Sequence, residues 1–210
     1  MVTNRREQLL DTAVRLFYGK GCQATGIDSL LNEAGVAKMT LYKYFKSKDD
    51  LILAAAERMN DQHQAQVRAF LDSHGGTARE KLLAMFDFIA EWAVKKEFSG
   101  CPFQRLAVEH PDAEHPARKA AMRYKIDQFR FFLRLACEAG VEQPERFTKR
   151  YLMLVEGAIA LAYVTGDRSH FEAAREMVET MLSPPAVDPG AVSRGDSSGA
   201  DLSSVATATI

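Results

Sequence analysis

Within eleven positions the chain sets out Lys38, Met39, Thr40, Tyr42, Tyr44 and Lys48. Their chemistry is that of contact rather than turnover. A lysine ammonium donates to guanine acceptors or to phosphate, a methionine meets a thymine methyl, and threonine and tyrosine hydroxyls donate to phosphate oxygens. Leu41 and Phe45, four apart, give a helix over 38–45 its buried side, so Lys38, Met39, Thr40, Tyr42 and Lys43 face mostly outward. Eight residues rising about 1.5 Å each span about 12 Å, enough to enter a major groove about 12 Å wide.

A helix before this one must hold it in place. Thr25 precedes an apolar run with Asp28 three residues on, a capping-box-like start for a helix through Ile27, Leu30 and Leu31 to Ala34. Gly35 permits a tight reversal, Ala34 allows close helix approach, and Val36 plugs the angle between the two helices. That is the shape of a helix-turn-helix. An earlier helix over about 4–19 places Leu9, Ala13, Leu16 and Phe17 on one face.

Beyond residue 47 the helical pattern continues. Segments are expected at about 48–71, 78–97, 103–109, 116–139, 144–165 and 170–182, with Thr77/Glu80 and Ser169/Glu172 as further starts. Period-2 strand runs are missing. The fold class expected is all-α, with about nine helices. The organisation expected is a helix-turn-helix domain over 1–47, a second helical domain over 48–182, and a disordered tail over 183–210, rich in Pro, Gly, Ser and Ala.

The chain of 210 residues carries 27 Lys+Arg against 28 Asp+Glu, which excludes a wholly basic nucleic-acid coat. The imbalance is local. Residues 1–48 hold eight basic and four acidic side chains, while the remaining 162 hold 19 and 24. An anionic partner would therefore meet the N-terminal segment. No run approaches the roughly 18 apolar residues of a membrane span, and the polar start has no signal-peptide pattern, so a cytoplasmic protein is expected. Three widely spaced cysteines make no disulfide framework. No Gly-rich phosphate loop of the required spacing marks a cofactor, and none is expected.

Leu9-Leu10-x-x-Ala13-x-x-Leu16-Phe17, Gly21, Thr25, Ile27, Ala34-Gly35-Val36, Thr40-Leu41-Tyr42-x-Tyr44-Phe45-x-Ser47-Lys48 and Leu51 resemble the TetR family of bacterial transcriptional regulators. The resemblance covers about residues 5–52. It implies a homodimer that places two helix-turn-helix domains on a near-palindromic double-stranded operator, and a C-terminal domain that binds a small-molecule effector. Most members repress and leave DNA when the effector binds. The resemblance makes Thr25 and Lys48 phosphate contacts and sets Thr40, Tyr42 and, less directly, Tyr44 against DNA. Lys38 and Met39 depart from the commoner small residue before the threonine, and they are the candidates for base readout. The last two long helices are expected to form the dimer interface, through Leu152, Val155, Ile159, Tyr163, Phe171, Met177, Met181 and Leu182.

In the second domain the signals are weaker. Trp92, Phe103, Phe129, Phe132 and Tyr163 are bulky candidates for the lining of an apolar pocket, and Cys101 lies beside them in the loop Ser99–Phe103. A stripe such as Ile126-Phe129-Leu133-Ala136 is more often plain core than pocket lining. Cys101 would sense electrophiles or oxidants if positive charge, such as Arg105, favoured its thiolate, and would otherwise be a small buried hydrophobe. Glu156 facing inward would select a cationic or hydrogen-bonding ligand, and facing out would be surface. Glu109-His110-x-Asp112-x-Glu114-His115 carries ligand-type side chains without a recognised zinc spacing, so no metal site is assigned. A helical hydrolase or thiol transferase using Cys101 and a histidine is the enzyme alternative. It has no motif and leaves the first fifty residues unexplained, so the expectation is a regulator and not an enzyme.

Overall fold

Glycines, prolines and side-chain caps decide where each helix of this chain begins and ends. The structure is a computed structural model and describes residues 4–183. Among the described residues there are nine helices and no strand: α1 (Arg5–Lys20), α2 (Ile27–Ala34), α3 (Lys38–Tyr44), α4 (Lys48–His74), α5 (Ala78–Ala93), α6 (Pro102–Glu109), α7 (Pro116–Glu138), α8 (Pro144–Thr165) and α9 (Ser169–Leu182). The all-α expectation holds. The tail expected to be disordered lies, past Ser183, outside the described residues.

Thr77 and Glu80 form the expected capping box at α5. Ser47 caps α4 by accepting the Asp50 N–H at 3.0 Å, and Asp50 accepts the Lys46 N–H at 3.0 Å. Two expected starts differ. Thr25 and Asp28 make no box: Gly26 is the N-cap of α2, and the Thr25 hydroxyl donates back to the Gly21 carbonyl at 2.7 Å. At α9 the Asp167 carboxylate accepts the Ser169 N–H at 2.9 Å, so an acidic turn residue does the work foreseen for Ser169 and Glu172. Gly35 turns left-handed (φ 62°), and that bend sets α3 against α2.

α1, α2 and α3 pack on one another around Leu9, Leu30 and Leu41, all sealed from solvent. Each such side chain contributes about 1.5–3 kcal/mol of burial. α4 leaves this bundle along α1 and continues against α5 and α7. Arg58 of α4 pairs with Glu7 and with Asp11 (3.0 Å) of α1. Behind them α5, α7, α8 and α9 form the larger core, centred on Tyr151, which is fully buried and donates its hydroxyl to the Leu82 carbonyl at 2.8 Å.

Short α6 joins the two halves. Its Arg105 donates to the Tyr18 carbonyl at 2.9 Å and to the Ser99 carbonyl at 2.7 Å, while Ser99 donates to the Tyr18 carbonyl at 2.8 Å. At the other end the Glu109 carboxylate accepts the Cys22 N–H at 2.7 Å and the Gln23 N–H at 3.2 Å. Gly21 makes this approach possible. Its φ is 89°, and a Cβ there would collide with a Glu109 carboxylate oxygen.

Candidate nucleic-acid interface and interior cavity

Helix α3 buries only Leu41, and Phe45 follows as its buried C-cap. The side chains between them point away from the bundle. Lys38 and Lys43 are exposed, Met39 is 86% exposed and Tyr42 46%, and Thr40 is half-buried. An exposed methionine at the tip of a seven-residue helix has no role in this core. Tyr44 is partly covered, with the Lys43 ammonium 5.7 Å from its ring centroid. Lys48 opens α4 beside the Ser47 cap, where unpaired helix N–H groups favour an anion. The set is basic and hydrogen-bonding, and it shares one side of the three-helix bundle with a helix of groove-sized length.

Thr25 is a correction. It is 3% exposed, and its hydroxyl is committed to the Gly21 carbonyl. It locks the α1–α2 turn and cannot offer that hydroxyl to a phosphate. Its side chain is short enough to close the four-residue reach to Gly21, and burial then favours that bond over a solvent-facing cap.

The second region is an open cavity of about 670 Å³ lined mainly by α4, α5, α7 and α8, with the ends of α1 and α6 at its edge. Trp92, Cys101, Phe103, Phe132 and Glu156 line it. Phe129 and Tyr163 are not in its wall. Tyr163 is half exposed and packs across Gly100 and edge-on to Phe98 at 6.1 Å. Phe129 lies on the outer side of α7, whose buried face runs through Ala117, Ala121, Tyr124, Phe132 and Ala136. Ile126, Phe129 and Leu133 of the expected stripe are therefore rotated out of the core while Ala136 stays in it, since Tyr124 and Phe132 take the inward register.

Aromatic rings crowd one part of the wall. Phe103 stacks on Tyr124 at 3.8 Å, Trp92 meets Phe98 edge-on at 4.8 Å, and His63 of α4 lies against Tyr124 and Phe88. Polar side chains such as Gln64, Gln128 and Arg130 share the lining, and one polar knot ties α6, α7 and α8 together. Glu156 faces inward, pairs with the Lys125 ammonium at 2.5 Å and accepts from the Gln104 amide at 2.7 Å. Its charge is already answered inside the protein, so it does not by itself demand a cationic ligand. Lys125 also donates to the Cys101 sulfur at 3.5 Å. Arg105 does not approach that sulfur, being spent on backbone carbonyls. Burial pushes the Cys101 thiol up, and the Lys125 charge pulls the other way. Burial, then Lys125, pushes His63 down to about 4. His63 and Lys125 carry no local sequence signal, because their neighbours come from other helices.

The interface expectation for the last two helices needs the same sorting. Val155, Ile159, Phe171 and Leu182 are buried within the protomer, whereas Tyr163 and Met177 are exposed. Met153 (74% exposed), Leu161 and Val164 (79%) were missed and extend that outward apolar surface of α8.

Comparison with known proteins agrees with this geometry. Residues 9–55 match the family of bacterial regulatory proteins, tetR family. A TetR-family transcriptional regulator from Streptomyces coelicolor, SCO4454, is 30% identical and superposes with a TM-score of 0.79 over 85% of this chain and 94% of its own. The reduced form of Escherichia coli NemR shares the fold, with a TM-score of 0.78 at 24% identity over 88% of this chain and all of its own. The Escherichia coli transcriptional regulator YjdC is 22% identical over 178 residues, 85% of this chain and 93% of its own. Among the described residues no helix is long and apolar enough to cross a membrane. With a helix-turn-helix whose second helix turns its polar side chains outward, on a helical body of matching plan, this chain belongs to the TetR family of DNA-binding bacterial transcriptional regulators.

Proposed function

We propose that the chain is a homodimeric repressor released from a near-palindromic operator when a small molecule enters the cavity. Residues 1–47 read DNA, and residues 48–182 hold the effector and the dimer contact. Lys38 and Met39 read base edges, Thr40, Tyr42, Tyr44 and Lys48 hold phosphates, and the outward surface of α8 and α9 meets its copy. The observation that carries this reading is α6. Its N-cap, Cys101, lines the cavity, and its other end holds Cys22 and Gln23 beside the helix-turn-helix. Anything that displaces Cys101, Phe103 or Gln104 pulls on the turn before α2, and so changes the setting of α3.

A dimer would hold its two α3 helices about 34–36 Å apart if the half-sites lie one helical turn apart. Fluorescence anisotropy against the DNA flanking the chain's own gene tests the scheme. Binding should weaken steeply between about 50 and 200 mM salt, since each neutralised phosphate releases counterions. A flat salt response, or a monomer on the operator, contradicts the scheme. An aromatic compound library screened for release from the same DNA tests the effector arm.

The contact between Lys125 and Cys101 favours a second reading of the same cavity, as a detector of electrophiles. An α,β-unsaturated carbonyl would be attacked by the Cys101 sulfur. The new S–C bond takes the sulfur pair, the alkene pair moves to the α-carbon, and that carbon receives the thiol proton. Because Cys137 is an exposed thiol, the test is made in a Cys137→Ser background: intact-mass analysis after an enone should show one adduct that Cys101→Ser abolishes. Labelling no faster than free cysteine removes this reading.

A further inference from the structure

Outside these two regions, one group of ligand-type side chains gathers from three elements. Asp49 stands in the first turn of α4, His110 is the C-cap of α6 and His115 is the N-cap of α7. One ligand atom from each lies within 4.8 Å of the others. We propose that Asp49, His110 and His115 bind one divalent transition-metal ion of the zinc type per protomer, clasping the start of α4 to the link between α6 and α7.

Two imidazoles with one carboxylate suit zinc, cobalt(II) or nickel(II), whereas magnesium and calcium take oxygen donors. The surroundings prepare His110 for this. Its Nδ1 lies 3.0 Å from the Leu106 carbonyl, the kind of backbone bond that fixes a ligating histidine's tautomer and leaves Nε2 with a free lone pair. The His110 and His115 rings lie nearly parallel with centroids 4.5 Å apart, and His115 Nε2 is 3.6 Å from the Asp49 carboxylate. A tetrahedral site brings ligand atoms to about 3.3 Å, so closure asks for about 1 Å of side-chain movement.

One contact must yield. His115 Nδ1 accepts the Ala117 N–H at 3.2 Å, which in the neutral ring leaves the proton on Nε2, facing Asp49. Metal binding at Nε2 shifts that proton to Nδ1 and gives up the long cap bond, which sits at a helix start already supplied with Pro116. Asp49 is exposed and leaves room for water in a fourth position. The neighbouring acids are engaged elsewhere: Glu109 holds Cys22 and Gln23, Glu114 pairs with Lys119 at 2.7 Å, and Asp112 accepts the Glu114 N–H. Sequence spacing misses the site because its carboxylate arrives from α4, far upstream.

The metal would join the same junction that α6 spans, one residue from Lys48. The test needs no DNA and does not depend on the regulatory scheme. Metal-stripped, tag-free full chain is titrated with cobalt(II), followed by visible d–d absorption, and with zinc(II) by calorimetry. One saturable equivalent per protomer is expected, with cobalt displaced by zinc. D49N and H110Q should each weaken binding by at least about tenfold, while H170Q should not. Zinc should raise the melting temperature of the native chain and leave that of the D49N/H110Q double variant unmoved. If the metal-free H110Q melts early, D49N alone decides, since it alters an exposed carboxylate. Binding that survives the double variant, or no saturable equivalent in the native chain, overturns the proposal.

Discussion

Helix α3 and the cavity present chemistry in opposite ways. α3 is seven residues long, spends one of them on the core and turns most of the rest to solvent, so neighbours in the chain become neighbours on one surface. The cavity takes Trp92 from α5, Cys101 and Phe103 from α6, Phe132 from α7 and Glu156 from α8, and no two of those helices share a turn. The outward surface of α3 is built from a short stretch of sequence, and the cavity is built from packing between helices. One consequence is mechanical. The outward α3 residues can change without disturbing the core, whereas a cavity residue such as Phe132, which also packs on Tyr151 at 4.8 Å, cannot.

Four experiments press on that contrast, the largest effect first. Leu41→Ala removes the side chain that anchors α3 and should cost about 2–5 kcal/mol by denaturant unfolding. Operator binding should fall only in proportion to the unfolded fraction if α3's outward residues alone make contact. Next comes His63. With a folded pKa of about 4 against an ordinary 6.5, it stays neutral in the folded state while the unfolded chain takes up a proton. Its contribution is intact above about pH 6.5 and is lost as pH falls toward 4, by up to about 3 kcal/mol. Denaturation across that window should show the slope, and His63→Phe should flatten it. A stability independent of pH would mean that His63 is wetter than its packing against Tyr124 and Phe88.

Thr25→Ala should cost about 1 kcal/mol, because it leaves the Gly21 carbonyl without its donor. Operator affinity of the folded fraction should not change, and a drop in that affinity would return Thr25 to the contact surface. The smallest effect is Tyr42→Phe, a loss of about 0.5–1.5 kcal/mol in operator binding, with folding stability unchanged. Unchanged affinity would remove the Tyr42 hydroxyl from the contacts.

The helices were legible because apolar spacing and Gly or Pro stops are local. So was the helix-turn-helix, where Gly35 and the Leu41/Phe45 pair leave little freedom. Caps were less so: Thr25 and Ser169 have the right chemistry, but a buried carbonyl claimed one and Asp167 replaced the other. Of the pocket candidates chosen by size and polarity, Trp92, Cys101, Phe103, Phe132 and Glu156 do line the cavity. The same criteria failed for Phe129 and Tyr163, because helix rotation is decided by partners that periodicity does not name. Lys125 shows why the rest was hidden. Nothing near it in the chain distinguishes it from other surface lysines until α6 and α8 bring Cys101 and Glu156 to its ammonium.

The placement of α6 has an evolutionary consequence. Its eight residues touch the enclosure at one end and the reading head at the other, while much of the enclosure's wall belongs to α5, α7 and α8. If the cavity holds the effector proposed above, descendants of this chain can reshape those three helices to admit a new compound while α6 keeps its hold on the turn before α2. On that proposal the vocabulary of inputs can drift while the genes under control stay the same.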